Sequence, residues 1–163
     1  MNVRTLLAAA AVVGAAACAG VSQAPERPSV YVMRHLQKAE GADPGLSAEG
    51  QANAERLAGW FGRDAPASIY VSATRRARET AAPLAARLGV TPAEYDPRDT
   101  GGVAQRALAD GGTVLIVGHS NTVPEIVEKL GGTRPAPLEE SDYGDIFQVV
   151  GPERRTERKK LAP

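Results

Sequence analysis

Two apolar strands in this chain each run out on a histidine, and that repetition narrows the folds open to it. Val30-Tyr31-Val32-Met33 ends on Arg34-His35, and Val114-Leu115-Ile116-Val117 ends on Gly118-His119-Ser120. No other histidine occurs in the 163 residues. Short apolar runs rich in β-branched residues read as strands buried on both faces, the mark of a parallel sheet covered by helices. In such a sheet, ligands bind at the C-terminal ends of the strands.

The rest of the chain alternates to match. Those two strands are expected to span 29–33 and 113–117, and further strands are expected at Ser68–Ser72 and Asp145–Val150, with a short edge strand within 90–96 weakened by Pro92. Helices are expected at 48–61 behind Ser47 as N-cap, at 74–88 closed by Gly89, at 103–109, and at 121–130 with Pro124 in the first turn. Pro83 is expected to kink or split the helix at 74–88. Alternating strands and helices give the expected class: α/β, in three α/β/α layers around a mostly parallel central sheet.

The first residues stand apart. A short basic start containing Arg4 precedes an Ala/Val/Leu run from Leu6 to Ala19, interrupted by Gly14 and Cys18. That is the plan of an export signal, and the run is too short for a comfortable membrane span. It fits a secretory signal cut near Ala19, or a lipoprotein signal cut before Cys18 with that cysteine acylated. Ala15-Ala16-Ala17 ahead of Cys18 lacks the larger aliphatic that lipoprotein sites usually carry. The expected organisation is a signal peptide at 1–23, a folded domain at 24–150 and a basic, disordered tail at 151–163. The expected location is exported and periplasmic, with membrane contact only through a lipid on Cys18. Formal net charge is zero, which gives no reason to expect a nucleic-acid partner. A single cysteine rules out an intramolecular disulfide.

The residue types at the strand ends suit phosphoryl transfer, which asks a protein mainly for positioning and charge neutralisation. A neutral imidazole can attack phosphorus and carry it as phosphohistidine, provided the ring is aimed rigidly and its other nitrogen is hydrogen-bonded. His35 has that position. Guanidinium forks match phosphate oxygens, and Arg34 beside it and Arg75 from the segment after the second strand are the expected ligands. His119, if protonated, would add a third charge without a metal. Lys38 and Asn121 are candidates for the pocket rim. Singly, each has a plainer reading as surface or loop chemistry, and Arg75, Arg76 and Arg78 also fit a solvated helix face. Their order along the chain is what makes the case.

In that order the chain resembles the histidine phosphatase superfamily, with its phosphoglycerate-mutase-like fold. Met33-Arg34-His35 is similar to the family's Arg-His signature, and Leu46-Ser47-Ala48-Glu49-Gly50 to its Leu-Thr-x-x-Gly helix start. Ser72-Ala73-Thr74-Arg75-Arg76-Ala77-Arg78-Glu79-Thr80-Ala81 is similar to the segment with the second phosphate arginine, and Gly118-His119-Ser120 to the second histidine motif. The resemblance implies His35 as phosphoryl acceptor, Arg34 and Arg75 as phosphate ligands and His119 as the second pocket histidine. It implies no metal and no cofactor.

Two departures matter. Leu36 stands where the family commonly has glycine, and only 43 residues (76–118) lie between Arg75 and His119, which leaves little room for the helical cap of larger members. The likeness is therefore to short, capless bacterial members. Glu94, Asp96 and Asp99 fall where the general acid would be sought, with Asp96 and Asp99 preferred. The expected activity is a metal-independent phosphatase acting on a phosphate monoester or phosphoramidate, carried by a small molecule or a protein side chain. The rivals are a phosphomutase and an envelope protein that binds a phosphorylated ligand without turnover.

Overall fold

A computed structural model of the protein describes residues 29–62 and 64–162. Residues 1–28, with the expected export signal and Cys18, lie outside them. In chain order the elements are β1 (Val30–Arg34), α1 (Ala48–Trp60), β2 (Ser68–Ser72), α2 (Arg75–Leu88), β3 (Ala93–Tyr95), α3 (Thr100–Ala109), β4 (Val114–Gly118), α4 (Val123–Lys129), β5 (Asp145–Val150) and β6 (Arg155–Lys160). Among the described residues no helix is long and apolar enough to cross a membrane.

Successive strand residues face opposite sides, and here both sides are buried. Tyr31, Met33, Ile69, Val71, Leu115 and Val117 pack with Leu57 of α1 and Leu84 of α2 on one face. Val30, Val32, Tyr70, Val114 and Ile116 pack with Val103 of α3 and Ile126 and Val127 of α4 on the other. The sheet is thus the middle of three layers, as expected. Its six strands run β3-β2-β4-β1-β5-β6. The first four are mutually parallel, and β5 and β6 are antiparallel additions.

Local chemistry sets the helix ends. Ser47 Oγ accepts from Gly50 N at 3.1 Å, Thr74 Oγ1 from Ala77 N at 3.4 Å, and Asp99 Oδ1 from Gly102 N at 2.8 Å. Gly89 closes α2 in the left-handed region at φ 66°. Two expectations are corrected. α2 is a single helix that Pro83 does not split, held by its buried face of Ala77, Thr80, Ala81, Leu84 and Ala85. The stretch expected as a disordered tail forms β6, which pairs with β5 from Asp145↔Lys160 to Val150↔Arg155. Its charged side chains suit a sheet edge, and Leu161 beyond it is buried.

Candidate active site

Because β1 and β4 are parallel neighbours with Arg34 opposite Gly118, the residues after each strand end side by side. His35 N donates to Gly118 O at 2.9 Å, and the imidazoles of His35 and His119 lie 5.4 Å apart, centroid to centroid. Gly118 leaves room for the side chains packed on the end of β4: a Cβ there would stand 2.8 Å from Thr122 Oγ1 and 2.9 Å from Tyr95 Oη. Thr122 Oγ1 in turn accepts from His119 N at 2.9 Å, which holds the turn after β4.

Hydrogen bonds fix both tautomers. His35 Nδ1 lies 2.8 Å from Leu36 O, which can only accept, so Nδ1 carries the proton and Nε2 keeps a free lone pair. Leu36 N is itself tied to Thr80 Oγ1 of α2 at 3.0 Å, so the backbone that orients the ring is anchored on both sides. At His119 the assignment is reversed. Arg76 NH2 approaches Nδ1 at 3.4 Å, and a guanidinium can only donate, so Nε2 carries the proton and donates to Ser72 Oγ at 2.8 Å. Ser72 Oγ is then free to donate to Thr74 Oγ1 at 3.3 Å.

Both imidazoles are neutral. Burial pushes His35 down to about 3, with Arg76, His119 and Arg34 adding to the effect against the opposing bond to Leu36. Burial likewise lowers His119 to about 4, helped by Arg76 and then Arg34. The protonated His119 considered from the sequence is therefore not the state of the ligand-free pocket. An entering phosphate dianion would favour protonation there.

Arg34 is 3% exposed and clamps the loop before β5. Its NH1 donates to Glu139 O at 2.8 Å and Glu140 O at 3.1 Å, and its guanidinium stacks 4.2 Å over the Tyr143 ring. The second guanidinium at the histidines is that of Arg76. Arg75, the arginine expected here, is 64% exposed and bonds Glu79 Oε1 at 2.7 Å, on the face of α2 turned from the pocket. Among the described residues, Nε of Arg34 and Nε of Arg76 are buried with no hydrogen-bond partner. Two orphaned cationic donors beside two neutral imidazoles make a place for an anion.

The other expected residues fall elsewhere. Asp96 bonds Arg98, which holds its carboxyl down at about 2, and it lines a cleft of about 460 Å³ with Ala73, Glu94 and Arg98. Asp99 is spent capping α3. Lys38 and Asn121 are exposed, Lys38 at a bridge to Leu46 and Asn121 in the turn before α4. Sequence reasoning missed Arg76, Ser72 and Tyr143. Only the phase of α2 signals Arg76: it lies four residues before Thr80, whose hydroxyl donates to Arg76 O at 2.8 Å.

Fold and site together define a class, the parallel-sheet α/β proteins with histidines and arginines gathered at the strand ends. Residues 30–98 match the family model of the histidine phosphatase superfamily, branch 1. No curated protein matches the chain in sequence. Solved structures share the fold. The protein histidine phosphatase SixA complexed with tungstate is 21% identical with a TM-score of 0.63, over 82% of this chain and 97% of that one. A SixA-type protein from Agrobacterium tumefaciens is 23% identical with a TM-score of 0.63, over 83% and 98%. A mycobacterial glucosyl-3-phosphoglycerate phosphatase is 16% identical with a TM-score of 0.64, over 82% and 98%. Over residues 30–98 the chain is thus similar to the histidine phosphatase superfamily, and over most of its length it has the fold of these phosphatases.

Proposed function

We propose that this protein hydrolyses a phosphate monoester or phosphoramidate through a phosphohistidine on His35, without a metal. One observation carries the reading: a neutral His35 with Nε2 free stands among His119 and two guanidiniums whose buried Nε atoms lack partners. His35 Nε2 attacks phosphorus, a P–N bond forms, and the bond to the leaving group breaks as that group takes a proton. Water then attacks the phosphohistidine and releases inorganic phosphate and neutral His35. Arg34, Arg76 and a His119 that takes up a solvent proton beside the incoming dianion neutralise the charge spread over the phosphoryl oxygens.

The leaving group narrows the choice. Asp96 and Asp99 are engaged by Arg98 and by the start of α3, so neither is presented as a proton donor. The bridging nitrogen of a phosphoramidate is protonated more readily than the bridging oxygen of an ester, so P–N cleavage depends less on a positioned acid than expulsion of an alkoxide does. A phosphoramidate such as phosphohistidine is therefore the favoured substrate, a choice supported by the SixA-type phosphohistidine phosphatases that share the fold. Capture on p-nitrophenyl phosphate with a chelator present tests the mechanism. Turnover that survives the chelator, leaves acid-quenched phosphohistidine and disappears in His35→Ala supports it. Competitive phosphate binding without turnover would instead make the protein a phospho-ligand binder. We further propose that the enzyme works after export, on the strength of the basic and apolar pattern of residues 1–19. A reporter that folds only outside the cytoplasm, fused behind residues 1–28, would stay inactive if that is wrong.

A further inference from the structure

The pocket is cationic at depth and anionic at its mouth. Two loops flank the arginines, residues 38–45 and 138–143, and together they hold Glu40, Asp43, Glu139, Glu140 and Asp142 against Lys38 alone. Two of these carboxylates stand on the pocket arginines. Glu140 Oε2 lies 3.2 Å from Arg34 NH2, and Asp43 Oδ1 lies 3.8 Å from Arg76 NH1. Their side chains are 82% and 57% exposed, so both present negative charge to solvent above guanidiniums that are 3% and 20% exposed. Neither carboxylate is incidental to its loop. Asp43 Oδ1 also accepts from Arg75 N at 3.2 Å, and the Glu139 and Glu140 carbonyls are clamped by Arg34. Arg75, the exposed cation at the start of α2, is neutralised by Glu79. The unpartnered Nε of Arg34 and of Arg76 still leave donors for a phosphoryl group beneath this rim.

In-line attack by His35 Nε2 sends the leaving group away from the imidazole, toward the mouth. From these charges we infer that Asp43 and Glu140 select the leaving group: cationic or neutral carriers are accepted, and carriers bearing a carboxylate or a second phosphate are rejected. The substrate class is then a phosphoryl group on a nitrogen or amine-bearing carrier, such as a side chain set among basic residues. The inference rests on the phosphatase reading above and sharpens it.

The experiment compares phosphoethanolamine with phosphoglycolate, two small monoesters whose leaving groups carry opposite charge, and uses p-nitrophenyl phosphate as a control. In the wild-type protein kcat/KM should favour phosphoethanolamine by about tenfold or more, and added salt should shrink the ratio. In Asp43→Asn/Glu140→Gln the ratio should fall toward one, chiefly by a gain on phosphoglycolate. A wild-type ratio near one, or a ratio unmoved by the double substitution, would overturn the inference while p-nitrophenyl phosphate turnover leaves the phosphatase reading intact. Binding of the same two compounds to His35→Ala reads the preference without catalysis. Equal affinities there would overturn it even in a protein that turns nothing over, a result that would sink the phosphatase reading separately.

Discussion

At the scale of single residues, the pocket turns on which of two adjacent arginines faces inward. Arg75 and Arg76 are 100° apart around α2, so one bonds Glu79 outside and the other meets His119 inside. Arg76→Ala should lower kcat/KM on p-nitrophenyl phosphate by about 10²–10³, the usual cost of losing one donor to a developing anion. Arg75→Ala should stay within roughly threefold, as expected for an exposed pair. Steady-state kinetics on the two variants decides the assignment, and the reverse ranking would restore Arg75. Ser72 makes a subtler case. It receives the Nε2–H of His119, which leaves Nδ1 facing Arg76. As a positioning residue, Ser72→Ala should cut kcat by roughly tenfold and move the acid limb of the pH profile, while Ser72→Thr should recover much of the loss. A uniform fall with an unmoved profile would mean that Ser72 only packs.

Elements show what the chain spells out and what it hides. β1, β2 and β4 were legible because both faces are buried, leaving unbroken apolar runs. His35, His119 and Arg34 were legible with them, since a strand end is easy to read. Arg76 was not, because the inward phase of α2 depends on packing of Ala77, Thr80 and Ala81 that no local pattern announces. Pro83 misled for a related reason: the propensity to break a helix was outweighed by tertiary burial on either side. β6 was hidden because Arg155–Lys160 carries charge at almost every position, and only its partner makes it a strand. That partner supplies Asp145, 3% exposed, to which Arg158 NH2 comes within 2.9 Å and Lys160 Nζ within 3.2 Å. Burial raises the Asp145 carboxyl, but the bonds from Arg158 and Lys160 outweigh it and hold the group below the usual carboxylate range. Asp145→Asn should therefore destabilise the protein in urea by about 1–3 kcal/mol. Arg158→Ala should cost less, on the order of 1 kcal/mol, because Lys160 still reaches the carboxylate. Equal losses would mean the cations do not share it.

For the whole molecule, the two buried histidines link catalysis to stability. Unfolded, each titrates near the ordinary 6.5; folded, they are lowered to about 3 and about 4. Below pH 6.5 the unfolded chain therefore gains protons that the folded protein does not take up, and stability falls as pH falls. The loss runs from about pH 6.5 toward pH 4 and ends once the folded histidines titrate. Its slope is up to about 1.4 kcal/mol per pH unit for each histidine. Asp145, whose folded carboxyl is depressed, loses its contribution only at more acid pH, so the histidine window is separable from it. Urea unfolding at pH 7.5, 6.5, 5.5 and 5.0 should trace the decline, and His119→Asn should roughly halve the slope. In the wild-type protein saturating sulfate, a dianion throughout this range, should flatten it, because a bound dianion favours a protonated His119 and lets the folded state take up a solvent proton as well. A slope unchanged by sulfate would show that the anion does not reach His119. The two histidines would then share a burial environment without sharing a substrate.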